Sequence, residues 1–126
     1  MSIYGIGSDI VDIDRIKKAL KNKNFKGKIF SKNETNIIEN KSNRIEAYAK
    51  RFAAKEAFSK ALRTGISGGI AFKEISINSN KNGSPYIELL GKTKSIVKRT
   101  IKKRYKIFLS MSDEQKYAIA TVVITY

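Results

Sequence analysis

The stretch "YGIGSDIVDI", residues 4–13, is rich in Ile and Val and reads as part of a buried strand over residues 3–11. A carboxylate, Asp9, sits in its middle. Moving an ionised carboxylate out of water is costly unless a partner offsets it. A positive group is therefore expected against Asp9.

Working outward, Asp12 or Asp14 can cap a following helix that places Ile13, Ile16 and Leu20 on one face. Ser31 followed by Glu34 is a capping box that starts a helix through Ile37 and Ile38. A longer helix is expected from about Ser42 to Leu62, where Gly65, Gly68 and Gly69 end it and open a mobile loop. "EISINSNKNGSPYIELL", residues 74–90, alternates around a turn at Asn82 and Gly83, which predicts a hairpin. Pro85, the only proline, stands where the second strand begins, a place that tolerates a missing N–H. Residues 92–105 predict a helix with Ile96, Val97 and Ile101 inward. "KIFLSMS" and "YAIATVVITY" predict a closing hairpin around "DEQK", with the run after Tyr117 as a central, two-sided strand. Hairpins mixed with helices indicate one α+β domain over residues 1–126, with a mostly antiparallel sheet packed against helices.

Composition narrows the chemistry. Hydrophobic residues make up 41% of 126, as in a globular protein. No apolar run approaches the roughly 18 residues of a membrane span, and the N-terminus shows no signal-peptide pattern. Cysteine is absent, which excludes disulfides and thiolate ligands and fits a cytoplasmic location. Histidine is absent too, so catalysis must use carboxylates, lysines, hydroxyls or a hard metal ion held by oxygens. The net charge of +15 attracts anions of some kind. It concentrates in residues 15–32 and 92–106, each with eight Lys or Arg and no acid.

A second carboxylate stands out in "RIEAYAKRFAAKEAFSKAL", residues 44–62. At the helical period Ile45, Ala49 and Phe52 share a face, and Glu56 falls in the middle of it. Ala54, Phe58, Ala61 and Leu62 form a second apolar face. Two inward acids, Asp9 and Glu56, suggest a shared partner. One reading is a buried salt bridge of Asp9 or Glu56 with Arg51 or Lys55. The other is a hard divalent cation, Mg²⁺ by its taste for carboxylates, water and phosphate oxygens.

Four motifs, "GIGSDIVDIDRI", "RFAAKEAFSKALRTGI", "NGSPYI" and "SMSDEQKYAIATVV", together resemble the short, bacterial-type holo-[acyl-carrier-protein] synthases, a branch of the phosphopantetheinyl transferases. The resemblance runs nearly the whole chain, in order. It implies the phosphopantetheinyl transferase fold and transfer of the phosphopantetheine arm of coenzyme A to a serine of an acidic acyl carrier protein. Adenosine 3′,5′-bisphosphate would leave. It implies Asp9 and Glu56 as Mg²⁺ ligands, and Glu56 or a metal-bound water as the base. Lys60, in the K-E-x-x-x-K pattern, would hold a phosphate, and Arg51, Thr64, Gly65, Gly83 and Pro85 would contact the cofactor. Arg15, Lys18 and Lys21 would dock the carrier. A homotrimer with active sites between subunits is expected, with neither nucleic acid nor membrane as partner. Two positions depart from the family: Asp113 stands at its usual histidine, beside Glu114, and Arg63 at a usual glycine. The competing readings are a small basic nucleic-acid-binding protein and a relative that binds coenzyme A without transfer.

Overall fold

The computed structural model describes residues 1–64 and 68–126, so the expected role of Gly65 lies outside the described residues. Strand β1 spans Ile3–Asp12 and alternates as its period demands: Gly5, Gly7 and Val11 are buried, while Ile6, Ser8 and Ile10 are exposed. Asp12 then caps helix α1, Ile13–Ala19, accepting from the backbone N–H groups of Asp14 at 2.9 Å and Arg15 at 3.4 Å. Helices α2, Lys23–Ile29, and α3, Lys32–Ile38, follow, and the capping box of Ser31 and Glu34 is present. Helix α4 spans Arg44–Leu62 and ends where Arg63 turns left-handed, at φ 71°. A 3-10 turn at Phe72–Glu74 leads into the hairpin of β2, Ile75–Ser79, and β3, Pro85–Leu89. Helix α5, Gly91–Ile101, precedes β4, Lys106–Asp113, and β5, Tyr117–Thr125.

All strand pairs are antiparallel, in a three-stranded sheet of order β1–β5–β4 and the separate pair β2–β3. The expected α+β class and both hairpins are present. Two expectations need adjustment. Strand β5 is central, but within this chain it is one-sided: Ala118, Ala120, Val122 and Ile124 are buried, whereas Tyr117 and Ile119 are exposed. Helix α5 stops at Ile101 rather than near residue 105, because Lys102 takes a left-handed conformation at φ 62°.

The long helix α4 lies across the inner face of the three-stranded sheet. Its contact with β1 is backbone against backbone. A Cβ on Gly7 would sit 2.0 Å from the carbonyl oxygen of Ala57, and one on Gly5 would sit 1.9 Å from that of Ala61. The small residues Ala53, Ala54, Ala57 and Ala61, all buried, make this approach possible from the helix side.

The opposite side of α4 is pinned by a buried ion pair. Lys55 Nζ lies 2.7 Å from Glu34 Oε1, and both side chains are fully buried. Lys55 also donates to the carbonyls of Phe72 and Ile75, and Glu34 accepts the N–H groups of Ser31 and Ile77. Every polar arm is thus satisfied, the condition under which a buried pair is tolerated. It ties α3, α4 and β2 together.

These contacts predict opposite outcomes for two glycines. Gly7→Ala should cost about 3 kcal/mol or more, because the clash is with backbone that cannot step aside. Gly27→Ala, in α2 with nothing within 4 Å of its added Cβ, should gain about 0.5–1 kcal/mol from helix propensity. Urea unfolding midpoints of the two variants check the pair.

Candidate active site

Asp9 lies opposite Ala120 in the register, on the same face of β1 as Gly5, Gly7 and Val11. It therefore points toward α4, with its side chain 18% exposed. The positive group that meets it is Lys60. The ammonium is 3.2 Å from Asp9 Oδ1 and donates to the carbonyl of Ser8 at 2.9 Å. Lys60 is itself more than half exposed, so Asp9 is only partly compensated by it.

Glu56 stands one turn before Lys60 on α4, half-buried. It takes part in none of the hydrogen bonds or ion pairs among the described residues. Burial pushes its carboxyl above the ordinary 4.5, the nearby charge of Asp9 pushes the same way, and Lys60 opposes both. A small cavity of about 290 Å³ opens beside the pair, lined by Ser8, Asp9, Lys60 and Thr121 together with Ile10, Ile119 and Ala120.

This donor set fits a hard cation. It consists of carboxylate oxygens alone, and a cation would relieve the repulsion that raises Glu56. No group of three or more acids, histidines or cysteines occurs among the described residues. The chain thus offers two carboxylates at most and leaves the remaining positions to water or substrate oxygens, the habit of Mg²⁺ rather than of a protein-caged ion.

Other residues singled out in the sequence fall elsewhere. Neither Arg51 nor Lys55 is the salt-bridge partner of Asp9 or Glu56. Lys55 belongs to Glu34, and Arg51 is 4% exposed and donates to the carbonyls of Ile77 and Ala47, both at 3.3 Å. The guanidinium of Arg51 thus ties α4 to β2. Thr64 follows the C-terminus of α4. Gly83, at φ +87°, and Pro85 form the tip and first residue of the β2–β3 hairpin and share no hydrogen bond with Asp9, Glu56 or Lys60. Arg63 donates to the Tyr4 carbonyl at 3.4 Å and lies over the Tyr4 ring. Arg15, Lys18 and Lys21 are exposed on or just after α1, with Lys18 in a surface pair with Asp14 at 3.2 Å.

The two acids at the closing turn are occupied. Asp113 pairs with Lys50 at 3.1 Å, and Glu114 accepts the N–H groups of Lys116 and Tyr117 at 2.8 and 2.7 Å. Neither pair was visible in the sequence. The turn role of Glu114 had a local signal, an acid three residues before the strand, whereas Lys50 and Asp113 meet only through the fold.

Comparison with known proteins places the chain in a family. Residues 5–122 match the model of the 4′-phosphopantetheinyl transferase superfamily. The chain belongs to that superfamily. It is 46% identical over 125 residues to the holo-[acyl-carrier-protein] synthase of Pelagibacter ubique, covering 98% of both chains. It is 47% identical over 127 residues to the Wolbachia pipientis enzyme of the same name, covering 97% of both. Among solved structures, that of holo-[acyl-carrier-protein] synthase from Neisseria meningitidis matches with a TM-score of 0.88 at 37% identity, over 98% of this chain and 99% of that one. The enzyme class and fold inferred from the four motifs are borne out. For a phosphopantetheinyl transferase, two acids beside a lysine at a strand edge are an arrangement suited to a phosphate-bearing substrate.

The raised Glu56 has a consequence for stability. Its carboxyl is protonated in folded and unfolded chains below about pH 4.5, so no penalty arises there. As pH rises from 4.5 through the raised folded value, ionisation opposes folding, and the full penalty remains at neutral pH. Glu56→Gln should therefore raise the unfolding midpoint at pH 7 in metal-free buffer, and the gain should shrink as pH falls from neutral toward 4.5. Parallel chemical-denaturation curves across that range measure it.

Proposed function

We propose that this chain transfers the 4′-phosphopantetheine arm of coenzyme A to a serine of an acyl carrier protein. Mg²⁺ would be held between Asp9 and Glu56, and adenosine 3′,5′-bisphosphate would be released. The observation that carries the reading is Glu56, a half-buried carboxylate without a bonding partner among the described residues, held against Asp9 and Lys60 at the edge of β1. The relatives' names support it, as do the solved synthases of Helicobacter pylori and Bacillus anthracis, each described as a complex with coenzyme A and 34% and 33% identical to this chain.

The chain's own groups then have distinct tasks. When bound, Mg²⁺ supplies charge that polarises the diphosphate and offsets the negative charge of the leaving group. Asp9 and Glu56 hold their oxygens toward the diphosphate. Lys60, anchored on the Ser8 carbonyl, presents a point charge to a phosphate oxygen. The carrier serine oxygen bonds to the β-phosphorus, and the bond from that phosphorus to the bridging oxygen breaks. The electron pair leaves with the bisphosphate. The serine proton passes to Glu56, directly or through a water that Glu56 holds.

Thr64 and the hairpin tip at Gly83 and Pro85 are assigned to the nucleotide end of coenzyme A. Arg51 is assigned to a coenzyme A phosphate, and its bond to the Ile77 carbonyl also holds the hairpin. Arg15, Lys18 and Lys21 form the docking surface for an acidic carrier, where exposed cations mainly speed encounter. Fatty-acid synthesis in the cytoplasm is the setting that such a carrier implies.

The outer face of the three-stranded sheet supports a homotrimer with shared active sites. Ile6, Ile10, Phe108 and Ile119 are 65%, 62%, 50% and 45% exposed, and the register sets them on one continuous face. A monomer seldom exposes so contiguous an apolar patch. Copies of this chain are its proposed cover.

Mass spectrometry of an apo carrier incubated with coenzyme A, Mg²⁺ and the protein tests the reaction. A gain of one phosphopantetheine is expected, and an unchanged carrier mass overturns it. Glu56→Gln should lower turnover by about 10²-fold or more without loss of fold. Sedimentation equilibrium should give three times the 14.2 kDa chain mass, with Ile6→Glu reducing it to the monomer. A monomeric unmodified chain would refute the trimer.

A further inference from the structure

We propose that the basic surface formed by α5 and the start of β4 is a separate anion-docking site that seats the protein on an anionic phospholipid membrane. This surface is the part of the +15 charge that the transfer reaction does not use. Lys94, Lys98, Lys102, Lys103 and Arg104, with Tyr105, line an open groove of about 610 Å³. All five cations are exposed, and none forms an ion pair with an acid among the described residues. The buried residues of α5, Thr93, Val97 and Ile101, face the core, so the lysines are directed to solvent. The C-terminal end of α5 adds a partial negative charge too small to neutralise them.

The surface is remote from the transfer site. Lys106, at the start of β4, lies opposite Thr125, while Asp9 lies opposite Ala120. Five residues along β5 separate the two positions, roughly 15 Å or more.

The chemistry selects the ligand. A small-molecule site needs apolar walls around a few polar groups, and this groove is lined by cations with one aromatic. Single-stranded nucleic acid would need aromatic faces for its bases. The exposed aromatic at this end of the sheet, Tyr126, already carries Lys103 over its ring at 4.8 Å. Lysines predominate over arginines, and lysine is a point charge without the fork used for base edges. A cluster of four to eight cations beside an exposed apolar residue and a tyrosine suits anionic headgroups. Met1, 89% exposed, supplies the apolar residue, and it shares an adjoining hollow with Arg104, Lys106 and Tyr126. Adsorption of this kind needs no spanning helix. It departs from the sequence-based expectation of no membrane partner, which rested on the lack of a long apolar run.

Co-sedimentation of the full chain with vesicles decides the matter. Vesicles of equal phosphatidylcholine and phosphatidylglycerol should carry the protein down, and pure phosphatidylcholine should not. Binding should weaken at least tenfold between about 0.1 and 0.5 M salt as screening shortens. The triple variant Lys94→Glu, Lys98→Glu, Arg104→Glu should lose binding by at least tenfold. The neutral variant Lys94→Gln, Lys98→Gln, Arg104→Gln, which adds no repulsion within α5, should weaken it in the same direction with an unchanged melting curve. No binding to the anionic vesicles overturns the proposal. So does full binding by the neutral variant, or displacement from the vesicles by an equal phosphate concentration of a single-stranded oligonucleotide.

Discussion

The close approach of β1 to α4 is the constraint on which the other features rest. Gly5 and Gly7 leave no side chain between the strand and the carbonyls of Ala61 and Ala57. An ordinary residue at either place would push the helix outward by the width of a methyl group. Asp9, two residues beyond Gly7 on the same face, would then lose Lys60 and the Coulombic reach of Glu56. The glycines matter here for space rather than for an unusual backbone angle, since neither has a positive φ. Proximity bought with glycine carries an entropy cost in the unfolded chain, and the packing of α4 against two sheet strands offsets it.

That proximity creates an unbalanced site. Among the described residues Asp9 has one exposed cation and Glu56 has no bonding partner, and burial disfavours the ionised form of Glu56. Elsewhere the molecule does not tolerate such imbalance. Glu34 and Lys55 satisfy each other and four backbone groups, and Asp113 and Glu114 are matched by Lys50 and by turn N–H groups. A deficit of positive charge in a chain of +15 is therefore local. It is the kind of imbalance that makes a cluster a candidate functional site.

The elements set by local rules were legible in the sequence. Asp12 as a cap, Ser31 and Glu34 as a capping box, and Asn82 and Gly83 as a hairpin turn all follow from neighbours within four residues. Strand β5 was legible as central, but its second apolar face was assigned to the core, because periodicity reports hydrophobicity and not what covers it. Of the site, Asp9 and Glu56 were found as acids on otherwise apolar faces. The identity of Asp9's cation was not, since Lys60, Arg51 and Lys55 all lie within five residues of Glu56 and only the packing of α4 on β1 separates them. The Lys50–Asp113 pair was hidden for the same reason: two residues from different elements meet by topology.

The contrast between Lys55 and Glu56 shows how finely that packing is fixed. Adjacent residues on a helix point about 100° apart, so one faces the β2 side and the other the β1 edge. Lys55 is locked by Glu34 and two carbonyls, and Arg51, one turn earlier on the same side, holds Ile77. These bonds resist rotation of α4 about its axis. The glycine contacts resist translation away from β1. A rotation of α4 about its axis would change the half-buried placement of Glu56. The buried pair thus works on Glu56 without touching it: it holds the carboxylate half-buried at the boundary between core and solvent, beside Asp9 and Lys60.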